Sequence, residues 1–119
     1  MRVEIRRRRL GVGEALREHI ERRLRGALGQ FGGRLGRVRV YLGDVNGPRG
    51  GADKRCRIVV HLPPGGRAVV SGTATDPYAA VARTAQRSAH AVKRHLKRKR
   101  SFRQRHRGGG RSVRTTRAD

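Results

Sequence analysis

The chain has a single cysteine, no tryptophan and no apolar run approaching the roughly 20 residues of a membrane-spanning helix. One cysteine excludes an internal disulfide framework and a four-cysteine metal site. Cys56 lies between Arg55 and Arg57 in an alternating run, so it reads as a core residue rather than a reactive thiol. The opening Met1-Arg2-Val3-Glu4-Ile5 lacks the apolar segment of a signal peptide, which makes the cytoplasm the expected compartment, with no membrane partner. Acids are also scarce, 8 Asp and Glu against 31 Lys and Arg, scattered so that no spacing forces two carboxylates together. The main support for a hydrolase is thereby missing.

Other chemistries lack their residues too. The glycines follow neither the phosphate-loop spacing with Lys-Ser/Thr nor the dinucleotide-binding fingerprint after a strand. Among His19, His61, His90, His95 and His106, the closest pair is His90 and His95, which point in different directions on a helix and read as part of a polar basic face. Ser71, Ser88 and Ser101 have no base and orienting acid brought near by spacing. The expectation is a protein that is not an enzyme, with no catalytic residue, metal or cofactor.

What the chain has is positive charge. The 119 residues carry a formal +23 with 34% hydrophobic residues, enough for one small domain with a modest core. Such an imbalance costs self-repulsion that a polyanion relieves, and nucleic acid is the leading partner class. Residues 93–119 hold 12 of the basic side chains and one acid, so about a quarter of the chain carries nearly half the net charge. From Ser101 onward, with Gly108-Gly109-Gly110 and few large apolar residues, the composition predicts a disordered basic Arg/Gly-rich tail over 101–119, after a domain over 1–100.

Periodicity supplies the elements. Val3 and Ile5 alternate with Arg2, Glu4 and Arg6, a short strand with one buried side. Leu16, Ile20, Leu24, Leu28 and Phe31 form the stripe of an amphipathic helix that Gly32-Gly33 stops. Strands return at Val38, Val40 and Leu42, at Cys56, Ile58, Val60 and Leu62, and around residues 67–73, where Ala68 and Val70 face inward. Asn46-Gly47-Pro48-Arg49-Gly50-Gly51 suits a hairpin connection, and Pro63-Pro64-Gly65-Gly66 breaks the chain before the fourth strand. Asp76-Pro77 is a good helix start, followed by the stripe Tyr78, Val81, Ala85, Ala89, Val92 and Leu96, to about Lys99.

The expected fold is α/β (α+β) in the order β-α-β-β-β-α. A single four-stranded mixed sheet carries both helices on one face. A right-handed crossover makes the first two strands parallel, and hairpins make the rest antiparallel. The other sheet face is then open, with Arg2, Arg6, Arg37, Arg39, Tyr41, Arg55, Arg57 and His61 on it. Its guanidinium groups suit phosphates, and Tyr41 suits stacking on an unpaired base. Tyr78 reads as an anchor at the core edge. Two further charge clusters are the run Arg6-Arg7-Arg8-Arg9 and the end of the second helix, where Arg87, Lys93, Arg94, Lys97 and Arg98 lead into Lys99 and Arg100. Long cationic side chains on a rigid helix can follow a phosphate backbone.

Three phrases in succession on this layout carry a resemblance: Val3-Glu4-Ile5, the helix phrase Glu14-Ala15-Leu16-Arg17-Glu18-His19-Ile20-Glu21-Arg22-Arg23-Leu24, and Asp76-Pro77-Tyr78-Ala79-Ala80-Val81. With the basic run from Lys93 to Lys99, the chain resembles the short form of the ribosome hibernation promoting factor and ribosome-associated inhibitor family, also called the sigma-54 modulation family. The resemblance implies a monomeric domain that binds the small ribosomal subunit and its ribosomal RNA between head and body, overlapping messenger and transfer RNA. It implies translation inhibition and ribosome hibernation under stress. It also implies RNA contacts by Arg22 and Arg25 on the first helix and by Arg87, Lys93, Arg94, Lys97 and Arg98 on the second. The second, dimerising domain of long members is not expected, and the basic tail and the Arg6–Arg9 run depart from the family pattern. The alternatives are a general RNA- or DNA-binding protein with low sequence specificity, and a regulator docking on an acidic protein, as the older family name implies.

Overall fold

Alternating apolar and charged residues build four strands, β1 (Arg2–Arg8), β2 (Arg37–Asp44), β3 (Lys54–His61) and β4 (Arg67–Ala74), in a sheet of order β1-β2-β3-β4. The computed structural model describes residues 1–8, 10–45 and 53–107, with side chains through residue 98. β1 runs parallel to β2, placing Glu4 opposite Arg39 and Arg6 opposite Tyr41, while β2–β3 and β3–β4 are antiparallel. The expected order and mixed pairing are therefore observed.

Helix α1 (Glu14–Leu28) makes the crossover from β1 to β2. Its stripe Leu16, Ile20, Leu24 and Leu28 is buried, and a 3-10 segment (Gly29–Arg34) turns the chain back. Gly32 supplies the positive φ of +57° on which that turn depends. Helix α2 (Pro77–Arg107) packs beside α1, so Val81, Ala85 and Val92 meet Val38, Val40, Ile58 and Val60 from the sheet in one core. Burying aliphatic side chains of this size is worth about 1.5–3 kcal/mol each, and these contacts are what hold the layers together.

Two buried residues of α2 are polar. Thr84 donates its hydroxyl to the Ala80 carbonyl at 2.7 Å and Ser88 donates to Ala85 at 2.6 Å, so neither oxygen is orphaned in the core. Gly72 on β4 sits under Thr84, where an added Cβ would lie 2.7 Å from the threonine Oγ1. Helix and sheet meet here at glycine distance. Cys56, paired with Gly72 in register, is fully buried. Burial pushes its thiol up to about 12, against a smaller opposing effect of a hydrogen bond with Thr84.

The β2–β3 hairpin is tied at its loop end. Lys54 Nζ lies 2.9 Å from the buried Asp53 and 3.5 Å from Asp44, and these contacts, led by the Asp53 hydrogen bond, raise its pKa. The hairpin connection over 46–51 expected from the sequence lies outside the described residues, as do Arg9, Ala52 and 108–119. Helix α2 does not stop near Lys99. Residues 101–107, assigned to the tail by composition, continue it to Arg107, because no glycine or proline interrupts the register before Gly108.

Candidate nucleic-acid interface

Strand register arranges the open sheet face in rows. Arg2 and Arg37 form one, Glu4, Arg39, Val59 and Val69 the next, then Arg6, Tyr41, Arg57 and Ser71, and finally Arg8, Gly43, Arg55 and Thr73. Glu4 is the single acid in these rows and engages three guanidinium groups, Arg37 Nε at 3.2 Å, Arg39 Nε at 3.2 Å and Arg6 Nη2 at 3.8 Å. The pKa of Arg39 is raised by its hydrogen bond with the Tyr41 hydroxyl and then by Glu4. Arg57 lies over the Tyr41 ring, Cζ 5.6 Å from its centre, a cation–π distance. Tyr41 thus joins two arginines on either side of it, one by its hydroxyl and one by its ring.

Not all of this face is open. Val59 is buried between its neighbours, and the Nε2 of half-buried His61 is enclosed with no hydrogen-bond partner among the described residues. Near the end of the sheet, where Gly43 contributes no side chain, a cavity of about 390 Å³ opens between Arg8 and Arg55, with Arg6, Tyr41 and Arg57 on its inner side.

The opposite layer presents a second basic surface. The groove between α1 and α2, about 690 Å³, has small residues such as Gly26, Ala85 and Ala89 along it and exposed Arg22, Arg23 and Lys93 at its margins. Arg94, Lys97 and Arg98 continue the exposed cations along α2, and the backbone of Lys99 and Arg100 follows in the same helix. Among the described side chains of α2, the last buried one is Val92, and Leu96 is half-buried. Past Val92, Lys93, Arg94, Lys97 and Arg98 are all exposed. Arg25 stands apart from the groove, 3.8 Å from Glu21 one turn earlier.

Arg87 has a different position again. Its Nη1 donates to the Ser71 carbonyl at 2.6 Å, and Arg83 donates to the Thr73 carbonyl at 3.1 Å. Both guanidinium groups cover outward carbonyls of the edge strand β4, blunting an edge otherwise free to pair. At the other end of α2, the Tyr78 ring lies 4.8 Å from that of His19, whose Nε2 is 3.1 Å from the Tyr78 carbonyl. An interhelical contact of this kind fits the anchor role.

The residues singled out from sequence thus divide between two faces and an edge. Arg37, Arg39, Tyr41, Arg55 and Arg57 share the sheet face, Arg22 and Lys93 share the helix groove, and Arg87 lies on the β4 edge. Sequence reasoning missed Glu4 as a clamp, Arg8 as a cavity wall and Arg83 as an edge cover. The Arg6–Arg9 run was the available signal for the cavity; nothing local reveals the other two, which depend on strand register and helix placement.

Among the described residues, no group of three or more His, Cys, Asp or Glu could hold a metal ion, and no helix is long and apolar enough to cross a membrane. Fold and surface together define a two-layer α/β domain whose polar chemistry is concentrated in exposed guanidinium arrays. The chain belongs to the Sigma 54 modulation protein / S30EA ribosomal protein family, whose model matches residues 3–100. Among solved structures it is similar to the Protein Y N-terminal domain of Thermus thermophilus, at 29% identity and a TM-score of 0.66, covering 80% of this chain and 99% of that one. It shares its fold with a ribosomal subunit interface protein from Coxiella burnetii, at 16% identity and a TM-score of 0.65, covering 81% and 99%. A comparison with curated protein sequences finds no match.

Proposed function

We propose that the protein binds the small ribosomal subunit at the channel for messenger and transfer RNA and silences translation there by occlusion, as a non-catalytic, cytoplasmic hibernation factor of the stress response. The observation that carries this reading is membership of a ribosomal protein family by a match over residues 3–100. The physical support is the disposition of charge. Ribosomal RNA is the polyanion that a rigid domain with cations on both faces fits, because two RNA walls can be contacted at once.

In this reading Arg22, Lys93, Arg94, Lys97 and Arg98 follow one phosphate backbone along the helix layer, with Lys99 and Arg100 extending it. Arg55, Arg57 and Tyr41 meet RNA from the sheet layer, while Arg37 and Arg39 are partly neutralised by Glu4. The folded domain recognises the subunit, and the basic stretch over 101–119 neutralises further phosphates. Phosphate neutralisation releases counterions, so a purely electrostatic binder loses affinity steeply with salt.

Co-sedimentation with isolated small subunits at about 0.3 M salt, in excess unrelated RNA, tests the reading, since non-specific contacts fade over that range. Near-equimolar saturation is expected. Failure to saturate, or displacement by the unrelated RNA, would establish instead a low-specificity nucleic-acid coat, which the formal +23 favours.

A further inference from the structure

The open sheet face is electrically uneven, and the unevenness marks a site. At one end Glu4 occupies Arg37 and Arg39, so an incoming phosphate must compete with a carboxylate already in place. At the other end, among the described residues, no acid lines the cavity over Gly43, and of its arginines Arg6 alone reaches Glu4, at 3.8 Å, while Arg8, Arg55 and Arg57 lie in no salt bridge. The volume, about 390 Å³, falls within the range of roughly 300–1,000 Å³ usual for small-ligand pockets. Its walls are of two kinds. Arg8 and Arg55 flank the gap left by Gly43, while Tyr41 and the exposed Val45 offer apolar surface beside them.

The geometry points to a subsite for one unstacked, phosphorylated nucleotide: its phosphate between Arg8 and Arg55, its base against Tyr41. Arg57, already over the Tyr41 ring, closes the stack from above or yields its place to the base. A bare anion would leave the aromatic and aliphatic walls unused. A duplex would keep its bases out of reach, because paired bases present no free face to a side chain. The nucleotide can be free or part of single-stranded RNA, since both offer the same phosphate and base. The inference rests on the RNA-binding reading above and narrows it to one place and one chemistry.

Gly43 makes the subsite testable without altering charge. A Cβ built there meets only Arg8 atoms, at 3.5 Å and beyond, which is ordinary contact, and valine suits a strand. Gly43→Val therefore projects a branched side chain into the gap between Arg8 and Arg55 and leaves the sheet intact; Tyr41→Leu removes the stacking surface as a second route. The full chain, wild type and each variant, is titrated with adenosine 5′-diphosphate, inorganic phosphate and a single-stranded oligoribonucleotide, and backbone amide spectra are followed, with thermal melting to confirm folding.

Saturable shifts centred on Tyr41, Gly43 and Arg57 are expected, with the diphosphate at least about tenfold tighter than phosphate, the scale that base stacking on an aromatic supplies. Both variants should weaken nucleotide binding by about tenfold or more. If only the oligoribonucleotide gives this variant-sensitive pattern, the subsite takes a nucleotide within a chain; if the diphosphate does as well, a free nucleotide suffices. Diphosphate and oligoribonucleotide both binding no tighter than phosphate, or shifts unchanged by both variants, overturns the subsite. Wild-type binding to small subunits is measured in parallel: its loss would count against the ribosomal reading, whereas its retention without nucleotide binding would count against the subsite alone.

Discussion

Glu4 and Arg39 face each other across the parallel β1–β2 pair, with the carboxylate Oε1 3.2 Å from the guanidinium Nε. The same carboxylate holds Arg37 and reaches Arg6, so one acid restrains three of the cations that the open face would otherwise offer to phosphate. Glu4 acts as an internal competitor. It keeps neighbouring guanidinium groups ordered in the free protein and lowers the general attraction of that end of the sheet for polyanions.

Glu4→Gln should therefore raise affinity for unrelated RNA by about two- to fivefold at low salt, the scale of one partly exposed ion pair, and the gain should fade as salt rises. Stability should change little, since solvent screens the pair. Filter binding across a salt series, together with a thermal melt, checks both.

The contact between β4 and α2 gives a packing prediction. Gly72→Ala puts a methyl where Thr84 Oγ1 already lies, 2.7 Å away, and should cost about 1–3 kcal/mol. For a domain of this size that corresponds to a fall of about 4–8 °C in Tm per kcal/mol. Thr84→Ala in the same chain vacates the space, so the double variant should melt higher than additivity predicts. Differential scanning calorimetry of the four proteins measures the coupling.

Cys56 should resist thiol reagents in the native state at pH 8, because its thiol is buried and pushed up to about 12. The sign for stability follows from the same shift. Below about 9 the thiol is protonated in both folded and unfolded chains and contributes no pH dependence. Between about 9 and 12 the unfolded chain releases the proton first, so this group lowers stability as pH rises through that window. Labelling should track unfolding, and Cys56→Ala should flatten the alkaline loss; labelling kinetics and urea titrations between pH 8 and 11 follow it.

The helix groove predicts a loss on charge reversal. Arg22→Glu with Lys93→Glu removes two exposed cations from its margins and should weaken small-subunit binding while leaving the melt nearly unchanged. If both side chains contact phosphates, the slope of log affinity against log salt should fall by about 2. Sedimentation across a salt series reads it.

Much of the fold was legible because each element shows one clean period. Leu16, Ile20, Leu24 and Leu28 mark a helix face, and Val38, Val40 and Leu42 mark a strand face. The handedness of crossovers then fixed the parallel β1–β2 pair. What escaped was tertiary. Val59 belongs by alternation to the open face, yet its neighbours in the sheet bury it. Thr84 and Ser88 read as polar, yet their hydroxyls are satisfied within the helix and enter the core. Arg87 reads as one more free cation, whereas the edge of β4 places a carbonyl 2.6 Å from it. Composition also misplaced the end of α2, because a basic segment without glycine or proline can continue a helix already nucleated by packing.

Displacement of labelled messenger RNA from isolated small subunits, followed as the protein is titrated, tests the central claim most directly. Occlusion predicts that bound messenger falls in step with protein occupancy and is gone at near-equimolar saturation, with the Arg22→Glu, Lys93→Glu protein shifted to higher concentration. Subunits that carry both the protein and messenger RNA at full occupancy would contradict the account.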